Sequence, residues 1–147
     1  MTLTRRSFVI ALPSLLAATA QSARAAGITI YRNAGCGCCH KWSEAMAEAG
    51  LPVSLSDVDD MAPVHARLGV PEALQGCHAG EIDSYVIEGH VPPIDILRLL
   101  RDRPKARGLS VAGMPQGSPG METGTNDPYQ VLLFQADGQS TVFARYG

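Results

Sequence analysis

Three of the four cysteines in this chain fall within four positions, in the stretch Gly35-Cys36-Gly37-Cys38-Cys39-His40. An apolar, β-branched run, Ile28-Thr29-Ile30-Tyr31, stands just before them, and a segment of helical period follows. Thiols crowded into a strand-to-helix junction add little to a core. They suit soft-metal or redox chemistry, because the helix N-terminus, with its free N–H groups and positive dipole end, favours the thiolate that binds metal or attacks disulfides. Gly35 and Gly37 let the backbone curl around the sulfurs.

The N-terminal 25 residues read as an export signal. Paired arginines, Arg5 and Arg6, precede Phe8 and a short apolar run broken by Pro13, and Ala23-Arg24-Ala25 offers the small residues a signal peptidase reads. The twin arginine points to the Tat route. The run is short of the roughly 18–20 residues that a membrane span needs. The expected organisation is therefore a signal over residues 1–25 and one domain over residues 26–147. Loss of Arg5, Arg6 and Arg24 from the 12 basic residues leaves nine against 14 acidic ones, a net charge of −5. No basic cluster suited to nucleic acid remains.

In an oxidising compartment an even cysteine count ordinarily means structural disulfides, but this spacing resists that reading. Cys38 and Cys39 are neighbours, and Cys36 and Cys38 are too close for an ordinary bridge. Only Cys36 and Cys39 have the Cys-x-x-Cys spacing of redox-active pairs.

Helical period runs from about Cys38 to Ala49, with Trp42, Ala45, Met46 and Ala49 on one face and Gly50 as the stop. Pro52 to Val58 reads as a second strand. A short helix over Ala62–Leu68 follows, capped by Asp59 or Asp60, with Pro63 in its first turn and Gly69 at its end. Pro71 to Gly80 reads as irregular and holds Gly76-Cys77-His78. Ile82 to Glu88 reads as a strand and Gly89-His90 as a turn. A helix after Val91-Pro92-Pro93 has Ile94, Ile96, Leu97 and Leu100 as its apolar face, and Pro104 stops it. Lys105 to Asp127 reads as one long Gly/Pro-rich loop, of a length that is usually functional or disordered. Val131–Phe134 and Thr141–Tyr146 flank Asp137-Gly138, a hairpin signal. The sum is an α/β chain with one thioredoxin-like domain: a central mixed sheet flanked by helices, with a C-terminal β-hairpin. In that topology the loop before the third strand lies across from the thiol turn, which brings Cys77 to Cys36, Cys38 and Cys39.

The chain also resembles the small periplasmic copper-binding proteins of the CopG (copper-resistance) type. The likeness is carried by Tyr31-Arg32-Asn33-Ala34-Gly35-Cys36-Gly37-Cys38-Cys39-His40-Lys41-Trp42, by Gly69-Val70-Pro71 with Leu74-Gln75-Gly76-Cys77-His78, and by Tyr85 to Pro92. Pro104 to Leu109, Gly113-Met114-Pro115 and Gly117 to Glu122 add to it. It departs at Ala34, where proline is expected, and at Ala79-Gly80, where Thr-Ala is. The resemblance implies a thioredoxin-like fold, a periplasmic location and copper bound by the four cysteines, with copper ions and other periplasmic copper proteins as partners.

Soft thiolates select Cu(I), zinc or iron–sulfur. Zinc prefers closed tetrahedral spacing from two knuckles, whereas adjacent thiolates suit bridging, so four cysteines fit a small multinuclear Cu(I) cluster. His78 is a ligand, an outer donor or an exposed neighbour, and His90 is a further candidate. His40 and His65 read as solvent-facing. Met114 and Met121 lie in the Gly/Pro loop, where a thioether suits Cu(I), though each equally suits plugging its loop onto the core. The leading expectation is a periplasmic Cu(I)-binding protein of copper tolerance or handling, with Cu(I)/Cu(II) redox fitting the same residues. The rival is a thiol–disulfide oxidoreductase with Cys36 as nucleophile and Cys39 as resolving thiol. A structural zinc domain is a third reading.

Overall fold

The computed structural model describes residues 27–147; the segment read as an export signal lies outside them. Seven strands form one mixed sheet in the order β2-β1-β3-β4-β5-β6-β7. The chain begins β1 (Ile28–Asn33), α1 (Gly37–Glu48), β2 (Val53–Val58), with β1 and β2 parallel. Then come α2 (Ala62–Leu68), a single 3-10 turn (Glu72–Leu74), β3 (His78–Ile82) and β4 (Tyr85–Gly89). β3 is antiparallel to both β1 and β4. After α3 (Pro93–Asp102), β5 (Gly108–Val111) joins β4 in parallel, and the hairpin of β6 (Tyr129–Phe134) and β7 (Ser140–Tyr146) completes the sheet. The arrangement β2-β1-β3-β4 with α1 in the first crossover is thioredoxin-like, and the expected C-terminal hairpin is present.

Period-2 alternation divides the apolar side chains between the two sheet faces. Ile28, Ile30, Ile82 and Ile87 pack with Trp42 and Met46 of α1 and with Ile96 and Leu99 of α3. Ala79 and Val86 pack on the other side with Met61, Val64 and Leu68 of α2 and its N-terminus. The N-cap of α2 is Met61, not Asp59 or Asp60 as expected, though the Asp60 carboxylate accepts the Ala62 N–H at 2.9 Å.

Three elements differ from the sequence reading. The run from Ile82 to Glu88 is not one strand, because Asp83, at φ 52°, turns the chain between β3 and β4. β3 accordingly begins at His78, inside the stretch read as irregular. The long loop contains β5, whose Gly108-Leu109-Ser110-Val111 is wholly buried between β4 and β6. In α3 the buried residues are Asp95, Ile96 and Leu99, while Ile94 and Leu97 are exposed. The docking of the helix on the sheet, not its count of apolar residues, selects that face. Asp95 is held inside by the Tyr146 hydroxyl, which donates to it at 2.6 Å, and by Arg98 at 3.0 Å.

Candidate metal centre

Two chain segments build the sulfur cluster. β1 ends at Asn33, whose carbonyl accepts the Cys36 N–H at 3.0 Å and so closes the turn that leads into α1. Cys36 is the N-cap residue of α1, in extended conformation, and Cys38 and Cys39 lie in its first turn. The second segment arrives through sheet register. Arg32 of β1 pairs with His78 of β3, which places Cys77 one residue further on, and its carbonyl accepts the Asn33 N–H at 3.4 Å. Cys77 therefore faces the thiol turn because β3 runs antiparallel beside β1.

The four sulfurs lie within 4.8 Å of one another. Cys36 and Cys39 form a disulfide, and Cys38 and Cys77 are free. Cys36 Sγ is 2.9 Å from Cys77 Sγ and 3.4 Å from Cys38 Sγ, and Cys39 Sγ is 3.9 Å from Cys77 Sγ. Cys39 is fully buried, while the other three are partly open to solvent. No carboxylate is a member of the group. Four cysteine sulfurs with no hard oxygen donor favour, once reduced, a soft ion over calcium or magnesium. Burial pushes the Cys77 thiol up to about 11, and the nearby Cys38 adds to the effect.

Beneath the sulfurs is a buried aromatic layer. Trp42 Nε1–H donates to the Val91 carbonyl at 2.9 Å. The His78 ring lies 5.0 Å from Trp42 and 5.0 Å from His90, centroid to centroid. His78 Nδ1 is 3.7 Å from Cys77 Sγ. His90 Nδ1–H donates to the Pro119 carbonyl at 2.7 Å, tying the sheet to the methionine-bearing loop. The Nε2 atoms of both histidines are buried without a protein partner. Burial drives His78 down to about 3, helped by His90, and also lowers His90, so both rings are neutral at pH 7.

The two loop methionines part company. Met114 Sδ is 3.9 Å from Cys38 Sγ, at the open side of the cluster. Met121 lines a shallow depression with Gly37, Cys38 and Lys41. His40 is exposed beside Glu44, as expected. His65 is not solvent-facing: it is buried, with Nε2 3.5 Å from the Glu88 carboxylate. A residue on a short helix looks exposed in sequence when its partner lies on a distant strand.

Sequence reasoning missed Glu88. Its side chain is fully buried, and Oε1 accepts the Gly76 N–H at 2.7 Å, immediately before Cys77. Burial raises its carboxyl to about 8. The available signal was a lone acid closing the apolar run Tyr85-Val86-Ile87.

The fold and the sulfur cluster together define a thioredoxin-like domain that carries a soft-metal or redox site. The family model described as "Protein of unknown function, DUF411" matches residues 74–121. No curated protein matches. Two solved structures of copper resistance protein CopG, form 1 and form 2, are each 44% identical to this chain and cover 84% of it. They are covered over 98% and 100% of their own length, with TM-scores of 0.79 and 0.80. The chain belongs to the CopG copper resistance protein family.

Proposed function

We propose that this protein binds Cu(I) through Cys36, Cys38, Cys39 and Cys77, in copper tolerance or copper handling. The observation that carries the reading is the convergence of four sulfurs, from two separate segments, within 4.8 Å. The name of the 44%-identical relatives, copper resistance protein, supports the choice of metal. Adjacent thiolates in that space suit sharing of each sulfur between two ions, hence a small multinuclear Cu(I) cluster. His78 stands next to Cys77, and neutral imidazole would supply a harder donor should the ion become Cu(II). The reading of residues 1–25 as an export signal supports a periplasmic role, and among the described residues no helix is long and apolar enough to cross a membrane.

The Cys36–Cys39 disulfide withholds two of the four thiols. Its reduction by an external dithiol, which leaves as its own disulfide, frees them, and each thiol that then binds Cu(I) releases its proton to solvent. The same disulfide supports the second reading, a thiol–disulfide oxidoreductase. Against it stands Cys77, 2.9 Å from Cys36, where it would trap wrong disulfides.

The test is anaerobic titration of the reduced chain with Cu(I) against a chromogenic chelator. Uptake of more than one ion per chain is expected, and Cys38→Ser and Cys77→Ser should each weaken it as much as Cys36→Ser does. Full retention of Cu(I) by Cys77→Ser would sink the four-thiol site. A disulfide-reductase activity that needs only Cys36 and Cys39 would favour the oxidoreductase.

A further inference from the structure

Cys36, Cys38 and Cys39 ride on one helix end, but Cys77 stands in a segment with little regular structure, between a single 3-10 turn and β3. Gln75 Nε2 donates to the Val70 carbonyl at 3.0 Å, which closes that segment on itself and not on the sheet. The Asn33 N–H meets the Cys77 carbonyl at 3.4 Å, longer than the usual range of about 2.7–3.2 Å. The short tie is the one from the Gly76 N–H to Glu88 Oε1, at 2.7 Å. Glu88 is fully buried on β4, in register with Ala79 of β3 and Ser110 of β5, so the acceptor sits on a rigid interior strand. Gly76 offers no side chain to block it: a Cβ there would lie 3.1 Å from the same oxygen. The other oxygen, Oε2, is buried without a hydrogen-bond partner among the described residues, with His65 Nε2 at 3.5 Å. Such a carboxyl costs folding free energy, and an apolar side chain of similar size would fill the place without that cost. What the acid adds is the acceptor for Gly76. A cavity of about 100 Å³ lined by Gly76, Cys77, His78 and Glu88 leaves this segment room to shift once the tie is gone.

We propose that Glu88 is the positioning residue of the sulfur cluster: through the Gly76 amide it holds Cys77 where its sulfur meets those of Cys36 and Cys39. The inference rests on the copper reading above and deepens it by a residue that lies outside the sulfur group. The helix turn sets the mutual placement of Cys36, Cys38 and Cys39 by itself. Cys77 comes from a distant part of the chain, and a metal ligand has to be held to within about 0.5 Å by packing and by hydrogen bonds behind it. Glu88 supplies that hold one residue before the ligand. His65 of α2 stands on the far side of the carboxyl and limits how far it can swing away from Gly76.

The test is a double-mutant cycle read by anaerobic competition of the reduced chain with a chromogenic Cu(I) chelator. Glu88→Met keeps bulk without an acceptor, and Glu88→Gln keeps the acceptor. Glu88→Met is expected to weaken Cu(I) binding by about tenfold, the low end of what loss of a group behind a metal ligand costs, and Glu88→Gln to restore it. In the Cys77→Ser background Glu88→Met should cause no further loss, because its effect passes through Cys77. An equal loss in both backgrounds would show that Glu88 acts through the fold at large and would overturn the proposal. So would full binding by Glu88→Met, or a loss in Glu88→Gln as large as in Glu88→Met. Should Glu88→Met not fold, Gly76→Ala breaks the same contact from the other side, at a position free of left-handed backbone, and the same outcomes decide. Failure of the unsubstituted chain to take up Cu(I) would overturn the copper reading alone. The hold on Cys77 is then read by iodoacetamide labelling of the reduced, metal-free chain, with Cys38 as the internal control. Cys77 should label faster in Glu88→Met and at the unsubstituted rate in Glu88→Gln, and an unchanged rate in Glu88→Met would overturn the positioning role.

Discussion

Glu88 alternates with Ile87 along β4, so its carboxyl joins Val86 on the α2 side of the sheet, where His65 and the Gly76 amide meet it. Two neutral partners cannot offset the desolvation of a carboxylate, and the proton is held up to about 8 against an ordinary 4.5. The folded chain therefore binds a proton that the unfolded chain has lost, and stability falls as pH rises through that window. Burial of His65 and His78 acts in the opposite sense. Their lowered values make stability fall on acidification below the ordinary 6.5. Between about pH 6.5 and 8 Glu88 is thus expected to set the slope: the urea midpoint of the reduced, metal-free chain should drop with rising pH. Glu88→Gln keeps an acceptor for Gly76 and should flatten the curve. An unaltered slope in the variant would show that another group is responsible.

At the scale of elements, the contact between the methionine-bearing loop and α1 is decided at Gly120. This residue has φ 86°, and a Cβ there would lie 2.9 Å from the Trp42 amide nitrogen and 3.2 Å from the Cys38 carbonyl oxygen. Gly120→Ala should cost about 1–3 kcal/mol, the usual range for an enforced backbone outlier. It should also lift the loop off the first turn of α1, read as faster hydrogen exchange of the amides from Met114 to Met121. Stability loss with unchanged exchange in that loop would mean that the strain is absorbed elsewhere. Elements were legible wherever a signal is local. β1, α1, α2 and the β6–β7 hairpin follow from periodicity, caps and the Asp137-Gly138 turn. α1 begins at Gly37 and ends at Glu48, one residue from the expected bounds at each end. β5 was not legible: four residues among glycines and prolines carry no pattern until β4 and β6 stand on either side of them. The face of α3 was misread for a related reason, since a helix with apolar residues on two sides is oriented by what it docks against.

For the whole molecule, the cluster joins the β1–α1 turn to the start of β3, so metal bound across it resists separation of two parts of the sheet. A ligand that binds only the folded state at 1,000 times its Kd adds about 4 kcal/mol. Cu(I) loading should accordingly raise the melting temperature of the reduced chain in anaerobic scanning calorimetry, and Cys77→Ser should lose most of that rise. An equal rise in the variant would mean that the α1 turn holds the metal alone.

Local chemistry along the chain determined that three cysteines share one strand-to-helix turn, which segments are strand or helix where the signal is local, and, through the order of those elements, that Cys77 returns to that turn. Each depends on residues a few positions apart, or on a strand order that few topologies satisfy. The tertiary structure decided what depends on neighbours through space. It set the distances among the sulfurs, the burial of His65 against Glu88, and the approach of Met114 to Cys38. Cys38 and Met114 are 76 positions apart, and no periodicity reaches that far. Only sheet register and the packing of Gly120 on α1 bring that loop to the cluster.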